Sequence, residues 1–556
     1  MLAFKCLSGL RRGSAPLLRK FSCAVFADKF EPSFGSHLSK VLKNTAVVDD
    51  RGSYTYSDVF KVAGAIRQRL ENAGGADPKK SHRVAFLCPG DTRFVATLWS
   101  IWLGGNTAVP LFHEHPVNLM EYYVKDCQAS VILGTQEFEP KLKELAENTG
   151  VRYVILPDLD AIGLGNDWED SPKWNALENL DALMLYTSGT TGPPKGVVLR
   201  HANLRFQTNQ IRDAWEWTGD DVMLHALPLH HTHGIVSGIL TPLYSGCSIR
   251  MLPKFDPKRI WNFITANGED PVSIFMGVPT MYVKLIAHYE ESLRGKVDPS
   301  QFKEAIKRHI RFLISGSASL PEPIYHRMHE ITGMEILERY GMTEVGIPLS
   351  NKLNGKRFPG CVGYPTRGTE TMIAEIEKRK IVKRIAEGNF NGTTIYEKDV
   401  SGDLLLRGPF VFNRYWNKKE KTVETFTECG WFITGDEAQV SEDGVYKILG
   451  RTSADILKSG GYKISALDVE KYLMQHPDIE ECVVVGVPDE EWGERVAAIA
   501  VFKKGATVPD LETLRAWCKE RMAHYQAPTI LKSVEKLNRN YLGKVNKKEL
   551  VKELFG

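Results

Sequence analysis

Ala182-Leu-Met-Leu-Tyr-Thr-Ser-Gly-Thr-Thr-Gly-Pro-Pro-Lys-Gly-Val-Val-Leu199 decides the reading of this chain. The apolar run Ala182–Leu185 and the run Val197–Leu199 read as strands, and the segment between them reads as a loop. In that loop Thr187, Ser188, Thr190 and Thr191 supply hydroxyls, while Gly189 and Gly192 permit close backbone approach. Consecutive N–H groups can cradle phosphate oxygens, and Lys195 adds a point charge. This is a phosphate-binding loop, but not the G-x-x-x-x-G-K-[ST] kind, because Lys195 is followed by Gly196 and a strand rather than by a hydroxyl residue and a helix.

Outward from this loop, short β-branched runs alternate with amphipathic helical patterns. Examples are Arg83-Val-Ala-Phe-Leu-Cys88, Ala129-Ser-Val-Ile-Leu133, Tyr153-Val-Ile-Leu156 and Ile310-Arg-Phe-Leu-Ile314. The alternation predicts an α/β fold with parallel sheets covered by helices. Between Met372 and Tyr446 shorter strands and turns predict a smaller, mainly antiparallel, β-barrel-like segment. After Gly450-Arg451 the pattern predicts a small α+β domain: helix 466–475, strands 481–487 and 496–503, and helix 510–522. The expected division is therefore a large N-terminal domain over 28–450 and a C-terminal domain over 451–556.

Composition narrows the function classes. In 556 residues, 43% hydrophobic and 25% charged, 71 Lys+Arg against 68 Asp+Glu leave a net charge of +3, which gives no footing for a nucleic-acid partner. Nine cysteines without a C-x-x-C pair argue against a disulfide framework or a zinc site and for a reducing compartment. Residues 1–27 carry Lys5, Arg11, Arg12, Arg19 and Lys20 and no acidic residue, as a mitochondrial transit peptide does. The uncharged stretch Phe94 to Phe112 is broken by Gly104-Gly105-Asn106 and Pro110, so it reads as a buried helix and strand, and no membrane span is expected. No obligate protein partner is inferred.

Further motifs follow the loop in order: Leu229-His-His-Thr-His-Gly-Ile235, Glu338-Arg-Tyr-Gly-Met-Thr-Glu344, Val362-Gly-Tyr-Pro-Thr-Arg-Gly368, Gly430-Trp-Phe-Ile-Thr-Gly-Asp436, Gly450-Arg451, Lys458-Ser-Gly-Gly-Tyr-Lys-Ile464 and Gly543-Lys544. With these the chain resembles the acyl-adenylate-forming family of acyl-CoA synthetases, luciferases and adenylation domains along essentially its whole length after residue 27. The resemblance implies ATP, Mg²⁺ and coenzyme A as cofactors. It assigns Tyr340 to adenine, Thr343 to the α-phosphate, Glu344 to the metal, and Asp436 with Arg451 to the ribose hydroxyls. His231 and Lys544 join Thr343 and Glu344 as catalytic candidates, Lys544 reaching the bridging oxygen between carboxylate and α-phosphate. Gly460 and Gly461 would line the pantetheine path of a mobile C-terminal domain hinged at Ser453 or Ala454. Read alone, the Thr343-Glu344 pair is more often a helix start, and Lys544 a solvated lysine of a basic tail. Asn538 and Asn540 also depart from the Pro and Thr usual before Gly-Lys.

The acyl pocket is more particular. His233 stands where the family usually has an apolar residue, and Arg311 precedes the strand leading to Ser315-Gly-Ser317. Alternatively Arg311 is a solvated flank of a basic helix end. Adjacent imidazoles at His230 and His231 cannot easily share one metal. With Met276–Tyr282, Leu252–Asp256 and Glu338-Arg-Tyr340, these segments resemble malonyl-CoA synthetases, although Ser319 departs from their usual Pro or Ala. That resemblance implies that Arg311, His233 and Ser317 hold the distal carboxylate of malonate in a mitochondrial matrix enzyme. The alternatives are a synthetase for short or medium monocarboxylic acids, a non-catalytic nucleotide-binding homologue, and an adenylation domain loading a carrier.

Overall fold

The computed structural model describes residues 40–72, 82–157, 159, 162, 177–187, 193–267, 270–452, 454–460, 462–539 and 545–556. Residues 1–27, Ser188 to Gly192, Ser453, Gly461 and Lys544 lie outside them.

Within the described residues the large domain contains two mainly parallel sheets and one antiparallel sheet. The first parallel sheet orders its strands Arg414–Tyr415, Lys195–Arg200, Asp181–Thr187, Thr107–Pro110, Arg83–Leu87, Val131–Gly134, Tyr153–Ile155. Its inner strands are buried end to end, as continuous apolar runs require when helices cover both faces. Helix Thr92–Leu103, started by Asp91 accepting from the Arg93 amide, is buried along nearly its whole length. The uncharged stretch after Phe94 is thus the helix and strand expected of it.

The second parallel sheet runs Gly346–Ser350, Ile336–Met342, Phe312–Ser315, Ile274–Gly277, Val222–His225, Ser248–Met251 through its centre. Helices Pro257–Thr265, Pro279–His288, Pro299–His309 and Glu322–Thr332 bury Trp261, Tyr282, Phe302 and Met328 against it. In open α/β sheets ligands bind beyond the carboxyl ends of the strands. Ser315, Gly277 and Tyr340 lie at those ends.

Residues 370–451 form an antiparallel sheet, Glu370–Glu377 pairing Lys380–Asn389 and Gly402–Arg407, and Phe432–Val440 pairing Tyr446–Arg451. The small C-terminal domain has its own sheet, in which the long pair Ile479–Asp489 and Gly493–Phe502 packs on helices Ala466–Leu473 and Leu511–Lys519. The helices are shorter than the sequence pattern suggests. Asp510 is a cap rather than a helical residue, accepting from the Thr513 amide. No helix among the described residues is long and apolar enough to cross a membrane.

Candidate active site

Strands Asp181–Thr187 and Lys195–Arg200, which flank the expected phosphate-binding loop, are antiparallel, with Thr187 opposite Lys195. Lys195 is half-buried. Burial pushes its ammonium below the usual lysine value, and Glu344 pulls it back up. The ammonium stands 4.9 Å from the centre of the Tyr415 ring, whose hydroxyl donates to Glu344 Oε1 at 2.8 Å. Tyr415 reaches this place because its two-residue strand pairs with Lys195–Arg200. Glu344 is buried in the turn between Ile336–Met342 and Gly346–Ser350, next to Thr343, and its carbonyl accepts from the Phe412 amide. A side chain at Gly341 would overlap the Gly346 carbonyl, and Gly346 has φ +61°, so the tight turn needs glycine at both places.

Asp436 and Arg451 face each other across adjacent strands, with Arg451 Nε 2.8 Å from Asp436 Oδ1. Tyr340 donates its hydroxyl to Asp436 Oδ2. Burial first, then Asp436, pushes the Tyr340 hydroxyl far above its usual value, so it remains a donor at any physiological pH. The carboxylate is buried, aimed and partnered. The Asp436 amide itself donates to Thr434 Oγ1.

The acyl end is built differently. His233 begins a π-helix, His233–Leu240, in which Gly234 and Gly238 leave no room for a side chain against the Pro228 carbonyl and the His225 ring. His233 is buried, with Nδ1 3.2 Å from Ser317 Oγ, and its Nε2 has no hydrogen-bond partner among the described residues. Burial, then Arg339, pushes its pKa well down, so the ring is neutral. Ser317 has φ +68°, a conformation that costs a non-glycine residue of order 1–3 kcal/mol and marks functional sites. Above Gly316 lies the guanidinium of Arg339, which fills the space a side chain at 316 would take. Arg339 is 7% exposed, and burial alone pulls its pKa down to about 10. No carboxylate among the described residues pairs with it. A buried cation without a counter-charge is costly and fits an anion arriving from outside.

His231 is partly buried, its ring 3.9 Å from that of His230, which in turn stacks on Phe112 at 4.2 Å. The two adjacent imidazoles thus pack on each other and on Phe112, while His233 turns to Ser317.

Arg311 requires correction. Its guanidinium pairs with buried Asp221 and donates to the Glu216 carbonyl. It precedes strand Phe312–Ser315 and so lies at the amino end of the sheet, roughly 13 Å of strand from Ser315 at a rise of about 3.3 Å per residue. The structure joins His233 to Ser317 and leaves Arg311 on the opposite side. Arg339, quoted within the Glu338-Arg-Tyr motif but given no role, takes the place expected of Arg311. Gly460 is exposed, donates its amide to the Trp492 carbonyl, and has no room for a side chain against the Trp492 ring. Tyr415 had no motif to reveal it.

Residues 37–416 match the AMP-binding enzyme family and residues 468–544 match the AMP-binding enzyme C-terminal domain. The chain is 40% identical over 517 residues to a malonate–CoA ligase of Homo sapiens, ACSF3, mitochondrial, across 91% of this chain and 89% of that protein. Among solved structures, ATP-bound MatB from Rhodopseudomonas palustris is 29% identical with a TM-score of 0.79, covering 94% of this chain and 98% of that one. A malonyl-CoA ligase in ternary product complex with methylmalonyl-CoA and AMP is 32% identical with a TM-score of 0.61, covering 90% and 97%.

Proposed function

The chain belongs to the AMP-binding enzyme family, and from that premise we propose that it is an ATP-dependent malonate–CoA ligase. One carboxylate of malonate attacks the α-phosphorus of ATP; the bond to the bridging oxygen breaks and pyrophosphate leaves, giving malonyl-adenylate. The thiol of coenzyme A then attacks the acyl carbon, loses its proton, and AMP departs with the bonding pair. Methylmalonate is a candidate second substrate.

The observation that carries this reading is the buried guanidinium of Arg339 beside His233 and Ser317, with no carboxylate of the described residues against it. Malonate keeps a second negative charge after its first carboxylate has reacted. Burying that charge costs several kcal/mol unless it is paired and hydrogen-bonded. A planar guanidinium can bind it bidentately, and His233 and Ser317 can add donors. An uncharged acyl tail would leave the cation unpaired.

The remaining groups divide by position. Thr187, Lys195 and the loop through Ser188, Gly189, Thr190, Thr191 and Gly192 hold phosphate oxygens, and Thr343 the α-phosphate. Tyr340 flanks the adenine, and Asp436 with Arg451 holds the ribose hydroxyls. A single buried carboxylate beside a phosphate loop suits Mg²⁺, which takes one or two carboxylates and completes its shell with phosphate and water. Glu344 would hold it, and it would supply charge neutralisation of the polyphosphate. His231 borders the reacting carboxylate, Lys544 reaches its new bond to phosphorus, and Gly460 with Gly461 admits the pantetheine. The working division is a transit segment 1–27 directing the chain to the mitochondrial matrix, a domain 28–450, and a mobile domain 451–556; the composition of the first segment and the mitochondrial relative support it.

The test is pyrophosphate release with malonate, methylmalonate, succinate, acetate and octanoate. Malonate is expected to lead. Acetate or octanoate leading would replace the dicarboxylate reading by a monocarboxylate one.

A further inference from the structure

Helix Ala466–Leu473 is the part of the small domain that meets the large one through opposite charges. Ser465, its cap, accepts from the Asp468 amide and donates its hydroxyl to the Leu449 carbonyl. Asp468 and Lys471 are one helical turn apart and share a face. Asp468 pairs with Lys447, 2.7 Å away, on strand Tyr446–Arg451 of the large domain. Lys471 pairs with Glu322, 2.8 Å away, on helix Glu322–Thr332. A negative and then a positive prong thus meet a positive and then a negative socket. Lys471 also lies over Gly360, whose amide donates to Glu338 Oε1 at 2.7 Å, and Glu338 precedes Arg339 and Tyr340 on their strand. The second prong therefore ends against the strand that carries both ends of the site.

In the same orientation the surface assigned to thiol entry is open to solvent at Gly460 and Tyr462. Tyr462 is 50% exposed and stacks on Tyr525 of its own domain at 4.2 Å, and Gly460 touches Trp492.

We propose that Asp468 and Lys471 are positioning residues that latch the small domain in the orientation serving adenylate formation, through Lys447 and Glu322, and that the latch releases for the thiol step. The inference rests on the two-step reaction proposed above. Neither residue touches substrate. Each prong is a half-exposed ion pair, so its worth is modest, and its effect falls on the balance between two orientations.

The test uses the full chain. Adenylate formation is read as pyrophosphate released from ATP and malonate without coenzyme A, and the second step as consumption of supplied malonyl-adenylate with coenzyme A. Lys471→Glu and Glu322→Lys should each slow the first step about three- to tenfold and leave the second unchanged or faster. The double variant Glu322→Lys with Lys471→Glu should restore the first step to within about twofold, because the pair is rebuilt in reverse. A third readout needs no substrate: tryptic cleavage after Arg451, at the junction of the two domains, should accelerate in each single variant and return in the double. Equal loss of both steps, or a double variant no better than its parents, would overturn the latch. If the wild-type chain ran neither step with malonate, the substrate reading would fail, while the cleavage series would still decide the latch.

Discussion

The two ends of the site handle charge in opposite ways. At the nucleotide end Lys195, Glu344 and Asp436 already have partners: Lys195 lies over Tyr415 and near Glu344, Glu344 accepts from Tyr415, and Asp436 is held by Tyr340 and Arg451. At the acyl end the guanidinium of Arg339 lies over Gly316 and near His233, and no carboxylate among the described residues pairs with it. The difference teaches where generality and specificity reside. On the proposed function, the paired nucleotide half would serve any acid, whereas the unpaired cation would select an acid that brings its own second charge.

The largest effect should come from breaking that asymmetry at its source. Arg339→Met keeps the volume and removes the charge, so malonate loses a partner worth about 2–5 kcal/mol in a buried pair. Its kcat/KM should fall by roughly two orders of magnitude or more while the KM for ATP stays near wild type. Weak activity on propionate or butyrate should appear. Wild-type efficiency with malonate in this variant would remove the main support for a dicarboxylate substrate.

The converse variant belongs to the nucleotide end. Asp436→Asn keeps the shape and loses a charge-assisted acceptor, worth about 1.5–3 kcal/mol per bond. The KM for ATP should rise roughly ten- to hundredfold with little change for malonate. Malonate and ATP constants rising together would show that the two ends are not separable.

Arg311→Ala sharpens the contrast by being the wrong arginine. Malonate kinetics should stay within about twofold of wild type, since the side chain lies at the far end of its strand. Stability should drop by about 1–3 kcal/mol, because buried Asp221 loses its charged partner and keeps the Thr218 amide and hydroxyl and the Ser273 hydroxyl as neutral donors. A denaturation midpoint lowered beside unchanged kinetics is the expected pattern; lost malonate activity would return Arg311 to the pocket.

The smallest effect concerns Glu338. Burial raises its carboxyl from 4.5 to about 8, against the Gly360 amide, which lowers it. Between those values the folded state binds more protons than the unfolded one, so stability is fully present below the lower value and is lost as pH rises through the upper. Glu338→Gln should flatten the decline in melting temperature across that window and leave ATP and malonate constants in place. An undiminished slope would assign the decline to other groups.

These two arginines also show what a linear reading can hold. Thr187, Lys195, Glu344, Asp436 and Arg451 lie at the strand ends and turns that their motifs imply, because the spacing of each motif leaves a turn or a strand end there. The parallel sheets were legible from apolar runs too short for helices. Arg311 misled because a residue before a short strand looks as close to the loop after it as one at the strand's end, and only the direction of the strand separates them. Arg339 has no signature of its own within its motif: Glu338 turns to Gly360, Arg339 to Gly316, and strand alternation places neighbours on opposite faces. Tyr415 was out of reach, since it meets Glu344 across 71 residues through a two-residue strand.

Gly316 deserves its own consequence. The atoms a side chain there would strike are the outer atoms of Arg339, the flexible end of a long side chain, not the backbone. A methyl group at 316 would therefore leave the strand and its sheet intact and evict only the guanidinium. Inheritance of a charged pocket thus rests on one absent carbon, and a lineage could trade diacids for plain fatty acids without altering a single residue that touches them.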